Sequence, residues 1–169
     1  MNSPKDIKLG ISACLLGENV RYDGGNKLDA VIRDALDDYV EWVPVCPEVE
    51  CGLPVPRDAM QLVGSCGSCR LVTVNTGIDH TDKLLSWVRI KLEELEKANL
   101  HGFIFKDRSP SCGLSGVKIY SSGGVVNEDG SGIFASEFLK HFSLLPVEGA
   151  DRLHDPALME KFMARLLST

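Results

Sequence analysis

Hydrophobic residues recur along the chain with two different periods. Residues 7–13 (IKLGISA) form an apolar run of strand length. Leu28, Val31, Ile32, Ala35, Leu36, Tyr39 and Val40 then follow the three-and-four spacing of an amphipathic helix, with Asp34, Asp37 and Asp38 off the stripe. A second strand is predicted over 42–45, and it leads directly into Cys46-Pro47-Glu48. Leu84, Leu85, Val88, Leu92 and Leu95 predict a helix over 81–98, followed by a strand over 102–106 (GFIFK). A strand at 117–120, helices over 133–142 and 156–167, and a short apolar segment at 144–147 complete the pattern. Between 50 and 70, Pro54, Pro56, Gly64 and Gly67 break any period, which predicts an irregular insertion, with an extra strand at 70–74. Strands alternating with helices at this spacing predict an α/β fold. The expectation is a single three-layer domain over 1–169 with a mainly parallel sheet.

With 169 residues, 44% hydrophobic and 25% charged, the chain has the length and composition to bury one sizeable core, and disorder is excluded. Eighteen basic against 24 acidic residues give a net charge of -6. That argues against stable nucleic-acid binding through a general phosphate-neutralising surface, although a local basic pocket is compatible with it. No apolar stretch reaches the roughly 18 to 20 residues of a membrane span. Ile11-Ser12-Ala13-Cys14 has the look of a lipoprotein cleavage box, but the residues before it include Lys5, Asp6 and Lys8. They lack the apolar run of about 7 to 15 residues that a signal peptide needs. The expected location is the cytoplasm, where the six cysteines read as packing residues, metal ligands or redox thiols and not as a disulfide framework.

Cys14, Cys46 and Cys112 share one placement: each lies just past the carboxyl end of a predicted strand. In a parallel sheet those ends lie along one edge, where ligands bind, so the three thiols can meet there. Two readings stay open on placement alone. One is a metal or iron-sulfur centre, because thiolates are the soft ligands such centres take; the other is three small buried hydrophobes. Glu48, two residues after Cys46, offers a general base, and Ser109 and Ser111 offer hydroxyls that bind a substrate or relay a proton. Arg21, Lys106 and Arg108 are loop cations suited to a phosphate or an acidic intermediate. The Gly24-Gly25 turn and Gly130-Ser131-Gly132, ahead of a helix, offer backbone N–H groups to an anion, and a turn plus helix start explains the second equally well. His80, His101, His141 and His154 show no ligand spacing. Cys66-Gly67-Ser68-Cys69 reads as a redox pair, or, with Cys46 and Cys51, as a four-cysteine zinc site. It lies in a Gly/Ser-rich segment without the strand-to-helix context of a thioredoxin motif.

Several blocks taken together resemble a known family. Gly10-Ile-Ser-Ala-Cys14-Leu-Leu-Gly17, Val20-Arg-Tyr-Asp-Gly-Gly25, Pro44-Val-Cys46-Pro-Glu48-Val-Glu50, Gly52-Leu53 with Pro56-Arg57, and Ser109-Pro-Ser-Cys112-Gly113 look like the signature blocks of the thiouracil desulfidase family. The likeness continues through Gly132-Ile-Phe-Ala135 and Leu145-Pro146-Val147 to Arg152-Leu153, and so covers nearly the whole chain. It is to the short, single-domain members, without the further helical domain of longer relatives. The resemblance implies a Rossmann-like domain holding a 4Fe-4S cluster on Cys14, Cys46 and Cys112, with one iron left without a protein ligand. It implies hydrolytic, non-redox removal of sulfur from thiolated pyrimidines such as thiouracil or 4-thiouridine 5'-monophosphate, giving the oxo-pyrimidine and sulfide. Catalysis then falls to Glu48 and Ser109, and Ser12, Arg21, Lys106 and Ser111 are expected to contact substrate. The competing expectations are a noncatalytic iron-sulfur or zinc protein, and a thiol redox protein working through Cys66 and Cys69.

Overall fold

The structure, a computed structural model, describes residues 5–65 and 67–169. Its first half runs β1 (Ile7–Ser12), a 3-10 turn (Ala13–Leu16), α1 (Ala30–Leu36), β2 (Val40–Val45), α2 (Pro47–Glu50), β3 (Met60–Val63) and β4 (Arg70–Thr73). The second half runs α3 (Thr81–Lys97), β5 (Gly102–Phe105), β6 (Val117–Ser121), β7 (Gly124–Gly130), α4 (Ile133–His141), β8 (Val147–Gly149), a 3-10 turn (Ala150–His154) and α5 (Pro156–Leu167).

β2, β1, β5 and β8, in that order, form a sheet in which every pair is parallel. The chain leaves β1 for β2 on one side and later returns to β5 on the other. The carboxyl ends of β1 and β5 therefore flank the point at which strand order reverses, the usual place for a binding crevice in such sheets. Alternation along the strands divides the core. Ile7, Leu9, Ile11 and Ile104 pack with Ile32 and Leu36 of α1 and with Phe162 and Leu166 of α5. On the other face Phe103 and Phe105 pack with Leu84, Val88, Leu92 and Leu95 of α3 and with Phe134 and Phe138 of α4. Gly10 makes room for that aromatic cluster, since a Cβ there would lie 2.2 Å from the Phe103 ring. The result is an α/β fold with helices on both faces of a parallel sheet.

The helices start where their sequences cap them. Asp29 accepts the Ile32 N–H at 3.1 Å, and Asp155 accepts the Ala157 N–H at 2.8 Å ahead of Pro156. Asp29 starts α1 after Leu28 and the helix ends at Leu36, so α1 is shorter than its apolar stripe: Leu28 and Tyr39 lie outside it and are exposed, Val31 is exposed within it, and Val40 already belongs to β2.

A second sheet, β4-β3-β6-β7, contains the two strands expected at 70–74 and 117–120, as β4 and β6, and adds two that the sequence did not predict, β3 and β7. β3 pairs antiparallel with β4 and parallel with β6, and β6 pairs antiparallel with β7. Leu62, Leu71, Val117 and Ile119 bring it onto the α3 side of the core. The 50–70 segment is therefore not irregular throughout, because Met60–Val63 is an inner strand of this sheet. Among the described residues no helix is long and apolar enough to cross a membrane.

Candidate functional site

Three loops leaving the carboxyl edge of the parallel sheet enclose a cavity of about 450 Å³. The first follows β1, where the chain turns through the 3-10 segment and places Cys14, 8% exposed, on the cavity wall. Its carbonyl accepts the Gly17 and Lys27 N–H groups, which close the turn. The second loop follows β2. Cys46 caps α2, Pro47 begins the helix, and Glu50 reaches back to the Cys46 N–H at 2.8 Å. The other Glu50 oxygen accepts Lys91 Nζ of α3 at 2.8 Å, so α2 is pinned to the body of the protein.

The third loop follows β5 and carries Cys112, 4% exposed. Ser109 Oγ accepts the Ser111 N–H at 3.2 Å and the Cys112 N–H at 3.0 Å. α4 grips this loop from outside: Gly132, Ile133 and Ala135 donate their N–H groups to the carbonyls of Gly113, Pro110 and Ser111. The contact is so close that a Cβ on Gly132 would lie 2.4 to 2.7 Å from Ser111 and Cys112 backbone atoms. These N–H groups, read from sequence as a seat for an anion, instead hold the cysteine loop. The Gly24-Gly25 turn is spent in the same way, its N–H groups donating to the Arg21 carbonyl and to Asp23 Oδ1.

All nine residues expected at the site line this one cavity: Cys14, Cys46 and Cys112, Glu48 and Ser109, and Ser12, Arg21, Lys106 and Ser111. The thiols stand around it without closing on a point, and among the described residues no three His, Cys, Asp or Glu side chains are grouped for a single ion. Burial pushes all three thiols up. The Cys14 thiol is raised despite the nearby Lys106 and Arg21 charges. Burial, reinforced by Glu48, takes Cys46 to about 11 against the Val49 N–H and Arg57. Burial raises Cys112 furthest, opposed by a hydrogen bond from Ser12. Three desolvated soft donors with cations beside them fit a thiophilic iron-sulfur group: such a group would displace the thiol protons, and Lys106, Arg21 and Arg57 would offset the resulting charge.

Around the thiols, Ser111 Oγ donates to Glu48 Oε2 at 3.4 Å and lies 3.1 Å from Ser109 Oγ. Ser12 Oγ accepts the Lys106 N–H at 2.9 Å as well as meeting Cys112, so it braces the cavity floor between β1 and β5. Lys106 Nζ donates to the Asp107 carbonyl at 3.0 Å, and burial, helped by Arg108, lowers its ammonium from the ordinary lysine value. Arg108 reaches the cavity wall but pairs with Asp151 at 2.6 Å. Cys51 does not line the cavity; its thiol donates to the Glu48 carbonyl at 3.2 Å and packs against the core. Cys69 also packs there, and its thiol meets the Ser65 carbonyl at 3.0 Å, whereas Cys66 lies outside the described residues. Sequence reasoning passed over Arg57 and Lys27, both on the cavity wall. For Arg57 the available signal was its place in the Pro56-Arg57 block.

Fold and site together define an α/β protein with a thiol-lined cavity at the carboxyl edge of a parallel sheet. Residues 9–150 match the model of the 2-thiouracil desulfurase family, and the chain belongs to that family. It is similar to the uncharacterized protein YbbK of Bacillus subtilis (strain 168), with 31% identity over 127 residues, 67% of this chain and 83% of that protein. A solved structure of a 4Fe-4S-dependent thiouracil desulfidase, TudS, superposes with a TM-score of 0.69 at 31% identity. The match covers 92% of this chain and 99% of that one.

Proposed function

We propose that this chain, acting as a single desulfidase domain, removes sulfur from thiolated pyrimidines by hydrolysis, with thiouracil or 4-thiouridine 5'-monophosphate as substrate. The observation that carries the reading is that three thiols, Cys14 and Cys112 buried and Cys46 half-buried, line one cavity with Glu48, Ser109 and Ser111. Family membership and the likeness to a 4Fe-4S-dependent thiouracil desulfidase support it. Cys14, Cys46 and Cys112 would hold a 4Fe-4S cluster. When bound, the cluster supplies a soft, Lewis-acidic iron free of a protein ligand, suited to a thiocarbonyl sulfur.

The reaction exchanges C=S for C=O: water gives its oxygen to the ring carbon, and its two protons leave with the sulfur as hydrogen sulfide, without net oxidation. Glu48 takes the first proton from water. Its Oε2 is engaged by Ser111 and Arg57, and among the described residues Oε1 has no protein donor, so Oε1 is the oxygen available to water. Ser109 Oγ already accepts two backbone N–H groups, so its own hydroxyl proton is free for Ser111 or for the substrate ring. Lys106 and Arg21 present positive charge to the anionic parts of a substrate. A cytoplasmic location accords with the reducing chemistry that free thiols require. The test is sulfide release by anaerobically reconstituted protein, run in parallel on free base, nucleoside and monophosphate.

A further inference from the structure

Arg57 comes from the loop between α2 and β3, and its side chain is almost wholly enclosed at 6% exposed. Its Nη2 donates to the Val20 carbonyl at 2.8 Å and lies 3.5 Å from Glu48 Oε2, while Nη1 donates to the Pro54 carbonyl at 3.1 Å. Its backbone N–H donates to the Tyr22 carbonyl at 2.8 Å. Nε is buried with no hydrogen-bond partner. A guanidinium in this position has given up most of its hydration for two carbonyls and one carboxylate, and it keeps one donor unsatisfied. The two carbonyls fix the plane of the fork, and a planar fork has a defined direction that an ammonium lacks.

We infer that Arg57 is a positioning residue for Glu48, fixing Oε2 so that Oε1 stays available to water. The inference rests on the proposed role of Glu48 as base. Oε2 has one protein hydrogen-bond donor, Ser111 Oγ at 3.4 Å, and one ion-pair partner, Arg57 Nη2 at 3.5 Å, and Oε1 has neither among the described residues. The two partners come from different loops, so the carboxylate is held from two sides. The hydrogen bond from Ser111 is long, as catalytic hydrogen bonds commonly are before substrate closes them, and the Arg57 ion pair is longer still.

The experiment compares Arg57→Lys and Arg57→Gln in the wild-type and Glu48→Gln backgrounds, measuring iron content, Tm, and single- and multiple-turnover sulfide release from 4-thiouridine 5'-monophosphate. Arg57→Lys is expected to keep iron and Tm and to lower kcat about 10- to 100-fold, the scale of a misplaced reacting group. KM should stay within about threefold, the pattern of a loss felt mainly in the transition state. Added to Glu48→Gln, it should cost little more, because both changes remove the same function. A loss that multiplies in full with Glu48→Gln overturns the proposal, as does a joint fall in iron, Tm and substrate affinity. Failure of both Arg57 variants to fold also overturns it, making Arg57 a loop staple. If iron-loaded wild type releases no sulfide, the functional reading fails by itself. Crystal structures of wild type and Arg57→Lys then decide the positioning: a displaced Glu48 carboxylate supports it, and an unmoved one overturns it.

Discussion

Ser111 Oγ donates to Glu48 Oε2 at 3.4 Å, joining the loop after β5 to the short helix after β2. These segments are 63 residues apart, and the contact closes the cavity wall beside the thiols. If Glu48 is the base, Glu48→Gln should retain iron and substrate binding while turnover falls about 100- to 10,000-fold. Ser111→Ala, which removes one hydrogen bond to the carboxylate, should lower turnover by about 10-fold or more with iron retained. Iron content and single-turnover sulfide release on the same preparation check both. Loss of iron from Glu48→Gln would instead make Glu48 a brace for the Cys46 turn.

The cysteines should separate by place. Replacing Cys14, Cys46 or Cys112 with Ala is expected to abolish iron binding and activity, since each thiol lines the cavity. Cys51→Ala, and the double replacement of Cys66 and Cys69, should keep most activity. Full cluster absorbance in Cys112→Ala would mean that the ligand set is different, and inactivity of the Cys66/Cys69 double variant would favour the loop-pair chemistry.

Gly132 tests the grip of α4 on the Cys112 loop. An added methyl meets the Ser111 carbonyl carbon at 2.4 Å and the Cys112 nitrogen at 2.7 Å, so backbone has to move. Gly132→Ala should destabilise the protein by about 1 to 3 kcal/mol, the usual cost of overpacking, and should speed iron loss to a chelator. Unchanged Tm and unchanged iron retention would show that the loop does not depend on this contact.

A pH effect is expected far from the cavity. The hydrogen bond to Asp29, at 2.6 Å, holds the His154 imidazole above its ordinary value of 6.5, against a smaller opposing effect of burial. Asp29 also caps α1, so the pair ties the segment before α5 to the start of α1. Because the folded-state value is raised, the contribution is present in full below about pH 6.5 and is lost as pH rises through the higher folded value. His154 is half-exposed, so screening keeps the effect under about 1 kcal/mol. His154→Gln should flatten this part of the Tm-against-pH curve; an unchanged slope would assign it to another group.

The parallel sheet was legible because its strands are short apolar runs alternating with helices whose buried stripes keep a 3.6-residue period, as Leu84, Val88, Leu92 and Leu95 do in α3. The thiols were legible for the same reason, since strand ends placed them on one edge. The second sheet was legible only in part, through β4 and β6. In β3 only Leu62 is fully buried, and β7 (GVVNEDG) is largely exposed and polar, so neither strand carries an apolar period. The role of Arg57 was hidden, although Pro56-Arg57 stood among the resemblance blocks, because two of its three side-chain partners are the Val20 and Pro54 carbonyls, and backbone acceptors leave no mark in side-chain pattern. The Gly130-Ser131-Gly132 segment was ambiguous because a helix start offers N–H groups to an anion and to a neighbouring loop alike, and here Gly113, Pro110 and Ser111 take them.

The central claim is tested most directly by one measurement on anaerobically reconstituted protein supplied with 4-thiouridine 5'-monophosphate or thiouracil in oxygen-18 water, without added reductant. The account predicts sulfide and oxo-pyrimidine in equal amounts, the heavy oxygen in the ring carbonyl, and no release by Cys112→Ala. Iron-loaded protein that leaves every thiolated pyrimidine intact, or a Cys112→Ala protein that releases sulfide at the wild-type rate, would contradict it.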